Sequence, residues 1–306
     1  MTCTIVWHSS SIAHKTGASH PESPARLEAI LDALREDACA DIVEWVSASE
    51  APFTALSAVH EAEHIARLQQ VASRGGGALD ADTVMSAGSW EAALYAAGAA
   101  IRVAQLALDH QPAFAAVRPP GHHATAAQAM GFCLLNNVAI AARYAIDELA
   151  LQRVLIVDWD VHHGNGTQDI FGRDPRVRYV SLHQSPLYPG TGAEEETGVG
   201  NIFNVPRPSG LRRETYVQDL NDAVHRATDH WQPDLLLISA GFDAMAGDPL
   251  AGFTLEPEDY AAWIETWKGL HVPMGAVLEG GYAPHRIARA AVCAVRSLAS
   301  STPDRS

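Results

Sequence analysis

Six short apolar runs, most of them passing into a cluster of Gly, Pro, His or Asp and then into a segment of helical period, constrain this chain more than any other feature. They are Thr4–His8, Ala113–Val117, Arg153–Val157, Val177–Leu182, Asp234–Ser239 and Met274–Leu278. Strands separated by helices pair in parallel, because each return must cross a face of the sheet. The expected class is therefore α/β, with an open, mostly parallel sheet flanked by helices on both faces.

Between the runs, Leu27, Ile30, Leu31 and Leu34 repeat at helical spacing behind Ser23-Pro24, a cap residue followed by a first-turn proline. A second helix reads Trp90, Leu94, Ala97, Ile101, Ala104 and Leu108 behind Ser89 as N-cap candidate. Further helices are expected over 137–149, 214–231, 257–270 and 284–298. No repeat, low-complexity tract or linker divides the chain, and 306 residues at 47% hydrophobic suffice for a large core, so one domain over 1–306 is expected.

The formal charge of −15 repels a phosphate backbone and attracts cations, which argues against nucleic acid and for amines or basic peptides as ligands. Met1–Ser10 has no basic segment leading into an apolar one, and no run approaches the ~20 apolar residues a membrane span needs. Cys3, Cys39, Cys133 and Cys293 have no CxxC spacing and are too sparse for a disulfide framework. The composition is rich in Ala and Arg, with Lys15 and Lys268 as its lysines. An unprocessed, membrane-free protein of a reducing, bacterial cytoplasm is expected.

Gly, Pro, His and Asp concentrate after the strands, where open α/β sheets place their sites. The run ending Asp158-Trp-Asp-Val-His-His163 enters two aspartates and two histidines, and extended alternation would put Asp158, Asp160 and His162 on one face. Asp160 and His162 can reach one ion together, and Asp243, at the end of another buried strand, supplies a third ligand of the kind zinc accepts. Three ligands leave a coordination position open, which marks a catalytic rather than a structural site. His122 and His123 follow Pro119-Pro120-Gly121 and are proton carriers near neutral pH. Asp158 is available to orient one of the pair and Asn165 the other, while Tyr282, after Gly280-Gly281, offers a phenol to a developing oxyanion.

The segments RPPGHHA (118–124), GFCLLNN (131–137), DWDVHHGNGTQ (158–168), SLHQSPLYPGTG (181–192), SAGFDAMAGDPL (239–250) and LEGGY (278–282) resemble the histone deacetylase superfamily, and HPESPAR (20–26) resembles its N-terminal motif. The likeness runs from about Val6 to Ala291, with its motifs in the family's order. It implies the arginase/deacetylase fold, one zinc on Asp160, His162 and Asp243, and His123 as general base and then acid, with His122 assisting electrostatically and Tyr282 polarising the substrate carbonyl. It also implies a structural potassium ion near Asp158, Asp160 and His162, with Ser181 and Leu182 carbonyls contributing. Gly131, Phe132, Tyr188 and Leu250 match positions lining a narrow acyl-lysine channel. Asn165, where many deacetylases carry aspartate, resembles the class II branch; Tyr282, which some class II relatives replace by histidine, favours an active enzyme. Leu250 stands where a polyamine-preferring branch carries a glutamate.

The expected activity is removal of an acyl group, acetyl foremost, from an amine such as the lysine side chain of a peptide or protein. An acetylpolyamine amidohydrolase is the alternative within catalysis, a binuclear ureohydrolase a third, and a non-catalytic acyl-lysine binder the reading from another class. Bland readings stand beside these. Phe132, Tyr188 and Leu250 have the composition of core residues, and Asp80 and Asp82 read equally as a solvated turn or a substrate-steering rim. His163 reads as structural, His20 and Arg26 as support for the site's floor or first loop, and His14, His60 and His64 have no assigned chemistry. Rims of this kind are often completed by a neighbouring subunit, so a homo-oligomer is also expected.

Overall fold

The computed structural model describes residues 2–300, and its centre is an eight-stranded, wholly parallel sheet. The strands in chain order are β1 (Cys3–Trp7), β2 (Val43–Ser47), β3 (Gly76–Ala78), β4 (Val84–Ser86), β5 (Ala113–Ala115), β6 (Val154–Asp158), β7 (Val177–Gln184), β8 (Ile202–Arg207), β9 (Leu235–Ala240) and β10 (Met274–Leu278). Across the main sheet the order is β2-β1-β5-β10-β9-β6-β7-β8, while β3 and β4 form a separate antiparallel hairpin. Successive side chains of a strand point to opposite faces. Leu155 and Val157 of β6 therefore join one hydrophobic core and Val154 and Ile156 the other. The first core is closed by helices Pro24–Arg35, Arg213–Thr228, Pro257–Trp267 and Pro284–Ala299, the second by Ala62–Ser73, Ser89–Leu108 and Asn137–Asp147. Burial on both faces is why these strands read as unbroken apolar runs.

All six expected strands form, with ends shifted by up to two residues. Four were not legible: β2 and β8 of the main sheet, and β3 and β4 of the hairpin. β2 and β8 are the edges of the sheet, and their sequences, VEWVS and IFNVPR, carry polar residues because an edge strand is only partly covered. The Ser89 cap is corrected: Gly88 holds the cap position and Ser89 starts the helix, its hydroxyl instead taking the Ser86 amide at 2.7 Å and lying 2.6 Å from His14 Nδ1. Ser23 does occupy its cap position before Pro24, without a side-chain cap bond. The helix expected over 214–231 ends at Thr228, and that over 257–270 ends at Trp267, followed by a 3₁₀ turn, Lys268–Leu270. Among the described residues no helix is long and apolar enough to cross a membrane.

Candidate active site

The carboxyl ends of the neighbouring strands β5, β10, β9, β6 and β7 all deliver polar side chains to one point. β6 stops at Asp158, and the following residues leave the ladder. Strand alternation is therefore not what brings Asp160 and His162 together. Two successive side-chain turns do it: Asp158 Oδ1 accepts the Asp160 amide at 3.1 Å, and Asp160 Oδ1 accepts the His162 amide at 2.9 Å. Asp243, three residues beyond β9, is held by the Val161 amide at 2.7 Å on Oδ1. Gly280 donates its amide to Asp160 Oδ2 at 2.8 Å, and a Cβ there or at Gly241 would collide with the Asp160 carboxylate.

Ligand atoms of Asp160, His162 and Asp243 lie within 4.8 Å of one another, and all three residues are buried. His162 Nδ1 stands 3.1 Å from both Asp160 Oδ1 and Asp243 Oδ2. Burial and the Asp160 charge push the Asp243 carboxyl up to about 7, against the pull of His162. Burial alone would lower His162, but its bonds to Asp160 and Asp243 raise it to about 10. Two carboxylates crowded around one imidazole thus demand positive charge. One oxygen-loving, imidazole-accepting divalent ion satisfies that demand with no proton, so the donor set fits zinc.

The histidine pair is divided between two partners, which settles what the chain order left open. His122 Nδ1 lies 3.0 Å from Asp158 Oδ2, which also accepts the Tyr179 hydroxyl at 2.8 Å. His123 Nδ1 lies 2.8 Å from Asn165 Oδ1. The rings are 4.0 Å apart, yet their proton affinities diverge. Burial opposes charge on His122, but Asp160 and Asp158 outweigh it and raise the ring to about 10. Burial and the neighbouring charges of His122 and His162 hold His123 well below its usual value. An amide oxygen can only accept, so the His123 proton sits on Nδ1 and Nε2 keeps its lone pair. The two imidazoles are thus pushed in opposite directions, His122 toward holding a proton and His123 toward releasing one, the separation expected where acid and base duties are divided.

Tyr282 follows β10 through Gly280-Gly281, its amide bound to Asp248 Oδ2 at 2.7 Å and its ring stacked under the Arg26 guanidinium at 4.8 Å. Burial, reinforced by Asp160 and Asp243 over the opposing Arg26, holds the phenol well above its ordinary value, so it remains a donor. Arg26 does support the floor: it donates to the Gly281 carbonyl and, at 2.6 Å, to the Glu279 carbonyl. Its counter-ion is Glu22, which also binds Arg118 through two nitrogens, at 2.5 and 2.7 Å. Glu22, Asp248 and Glu279 were missed as individuals, although each lies in a segment singled out above. Glu279 Oε2 accepts the Gly121 and His122 amides at 2.6 and 3.1 Å, and burial lifts its carboxyl to about 7 despite the pull of His122.

Of the expected channel residues, Gly131, Phe132 and Tyr188 come to the site. A Cβ on Gly131 (φ +54°) would strike the His123 ring. Phe132 packs edge-on at 5.8 Å from Tyr282, and Tyr188, 39% exposed, stands edge-on at 5.1 Å from His123. Leu250 connects through Asp248, whose Oδ1 accepts its amide at 2.9 Å. The 80–83 loop lies against the same mouth: the Thr83 hydroxyl takes the Phe132 amide at 3.1 Å, and His20 Nε2 bonds the Asp82 carbonyl at 2.9 Å. Ser181 pairs in register with Asp158 across β6 and β7, and the adjacent Leu182 carbonyl accepts the Tyr216 hydroxyl at 3.3 Å. His163 bonds Thr191 and Gln168 away from the pair, and His60 bridges the Thr125 carbonyl and the Asn136 amide.

Comparison with known proteins agrees with this geometry. Residues 20–298 match the sequence model of the histone deacetylase domain. An uncharacterised protein of Synechocystis is 41% identical over 96% of this chain and 98% of its own length. A probable deacetylase of Archaeoglobus fulgidus is 37% identical over 92% of this chain and 82% of its own. A histone deacetylase-like amidohydrolase of Pseudomonas aeruginosa is 38% identical over 80% and 66%. Among solved structures, the HDA15 HD domain superposes with a TM-score of 0.93 at 36% identity, over 97% of this chain and 88% of that one.

Proposed function

Because this chain belongs to the histone deacetylase family, we propose that it is a zinc-dependent deacetylase that hydrolyses an acyl, foremost acetyl, amide of an amine such as the lysine side chain. The observation that carries the reading is the pair of adjacent imidazoles, His123 on the Asn165 amide oxygen and His122 on the Asp158 carboxylate, beside the donor set Asp160, His162 and Asp243. Asp160, His162 and Asp243 would hold the zinc, which when bound would supply Lewis acidity toward the acyl carbonyl and lower the pKa of water.

His123 Nε2 takes the proton of the attacking water and delivers it to the leaving amine nitrogen, so that amide and water become carboxylate and amine. His122, whose hold on a proton Asp160 and Asp158 strengthen, and the Tyr282 hydroxyl stabilise the negative charge that develops on the carbonyl oxygen. Asn165 holds the His123 tautomer. Gly131 leaves room for the His123 ring, and Phe132, Tyr188 and Leu250 line the path of the aliphatic stem. Asp158, Ser181 and Leu182 are adjacent buried oxygen donors suited to a structural potassium ion. One domain over 1–306 carries the activity on acylated peptides in a bacterial cytoplasm, without nucleic acid or membrane.

An acylated polyamine is the second reading. Asp80 and Asp82 favour it: burial first, and then the charges of Asp82 and Asp80, hold the Tyr188 phenol above its ordinary value, which places both carboxylates near the mouth. Leu250, an apolar residue, opposes it. The deciding experiment compares kcat/KM on acetyl-lysine peptides and acetylspermidine, with His123→Ala as control. Turnover of the peptides that is abolished by the substitution is expected. Near-wild-type turnover by His123→Ala refutes the assigned role, and a preference for acetylspermidine replaces the first reading by the second.

A further inference from the structure

The histidine pair sits on a short segment, Arg118–Ala124, that is not itself part of a strand or helix. Something outside it must fix its backbone if two imidazoles are to keep different partners at 2.8 and 3.0 Å. Glu279, the residue after β10, does so with one side chain. Its Oε2 accepts the amides of Gly121 and His122, and its Oε1 accepts the Ser239 hydroxyl from the end of β9 at 3.0 Å. The carboxylate thereby joins two strand ends to the peptide that launches both rings. Its own backbone is clamped in turn, because the Glu279 carbonyl accepts from Arg26 at 2.6 Å. Gly121 is itself closely packed, since a Cβ there would collide with the backbone of Leu135 and Asn137.

We propose that Glu279 is a positioning residue for the His122–His123 pair, acting through the two backbone amides it binds and not through its charge. This rests on the deacetylase reading for its kinetic consequence but not for its structural one. Three hydrogen bonds are needed, and length decides whether they can be made. Glutamine has the same reach: its oxygen can take both amides while its NH₂ donates to Ser239. Aspartate keeps the charge but is one methylene short.

The test compares Glu279→Gln and Glu279→Asp in the zinc-loaded protein, by amide hydrogen exchange over residues 118–124 and by steady-state kinetics on an acetyl-lysine peptide. Glu279→Asp should lose protection at the Gly121 and His122 amides and lose kcat by about 10²-fold at little-changed KM, as expected for a catalytic group displaced by about 1 Å. Glu279→Gln should retain both. Loss in Glu279→Gln equal to or greater than that in Glu279→Asp would show that the charge is required and overturn the proposal, as would full protection and full kcat in Glu279→Asp. If the wild-type protein turned over no acyl-lysine substrate, the deacetylase reading would fail, and the exchange comparison would still decide this one.

Discussion

Glu22→Gln is the most informative single substitution in the protein scaffold. Glu22, Arg26 and Arg118 are each wholly buried, and one carboxylate bonds both guanidinium groups at 2.5 to 2.9 Å. Glutamine keeps the shape and removes the charge, leaving two buried cations without a counter-ion. Breaking a buried pair in this way costs about 3–5 kcal/mol. The pH dependence follows from the same contacts. Burial favours the neutral acid, but Arg118, His14 and Arg26 together draw the carboxyl well below its ordinary value. A lowered folded pKa means that the stabilisation is complete above the unfolded value of about 4.3 and is lost only as the pH falls through the lower folded one. Urea unfolding of the zinc-loaded protein should show a gap between wild type and variant of about 3–5 kcal/mol near neutral pH. That gap should persist down to about pH 4.3 and close only below it. A gap under about 1 kcal/mol, the worth of an exposed pair, would refute the reasoning. So would a gap that closes well above the ordinary carboxyl range.

Three further outcomes are expected. Tyr282→Phe should lower kcat by about 10²–10³-fold, as loss of one oxyanion donor does, with metal content unchanged by elemental analysis. Asp243→Ala should abolish zinc retention on dialysis; zinc at about 100 times its Kd should add about 2.7 kcal/mol to wild-type stability in thermal melts and nothing to the variant. Gly131→Ala places a Cβ against the His123 ring at a φ of +54°, and kcat should fall about tenfold or more while zinc binding is kept, measured by parallel kinetics and metal titration.

Much of the site was legible because residue type and local order carry it. Asp160, His162 and Asp243 are identifiable as ligands wherever they end an apolar run, and the structure does bring them within 4.8 Å. The geometric reason differed, since side-chain turns and not strand alternation align Asp160 with His162. The edge strands β2 and β8 escaped notice because partial exposure mixes polar residues into their pattern. Arg26 was expected to support the floor, but its buried counter-ion Glu22 escaped for a related reason. Glu22 and Arg26, spaced as on an exposed helix face, look like an ordinary surface pair, yet both are fully buried.

Periodicity, capping residues and the chemistry of strand ends are properties of near neighbours in the chain, and they specified an α/β sheet with its polar groups at the carboxyl edge. Which group serves which was decided by contacts far apart in sequence. Asp158 takes His122 across 36 residues, Asn165 takes His123 across 42, Glu22 meets Arg118 across 96, and Glu279 reaches Gly121 across 158. Those pairings depend on β5, β10, β9 and β6 lying side by side. No local pattern encodes strand order, because it is set by how the helices pack on two faces at once. The division of one histidine pair between a carboxylate and an amide oxygen is therefore a product of the assembled sheet.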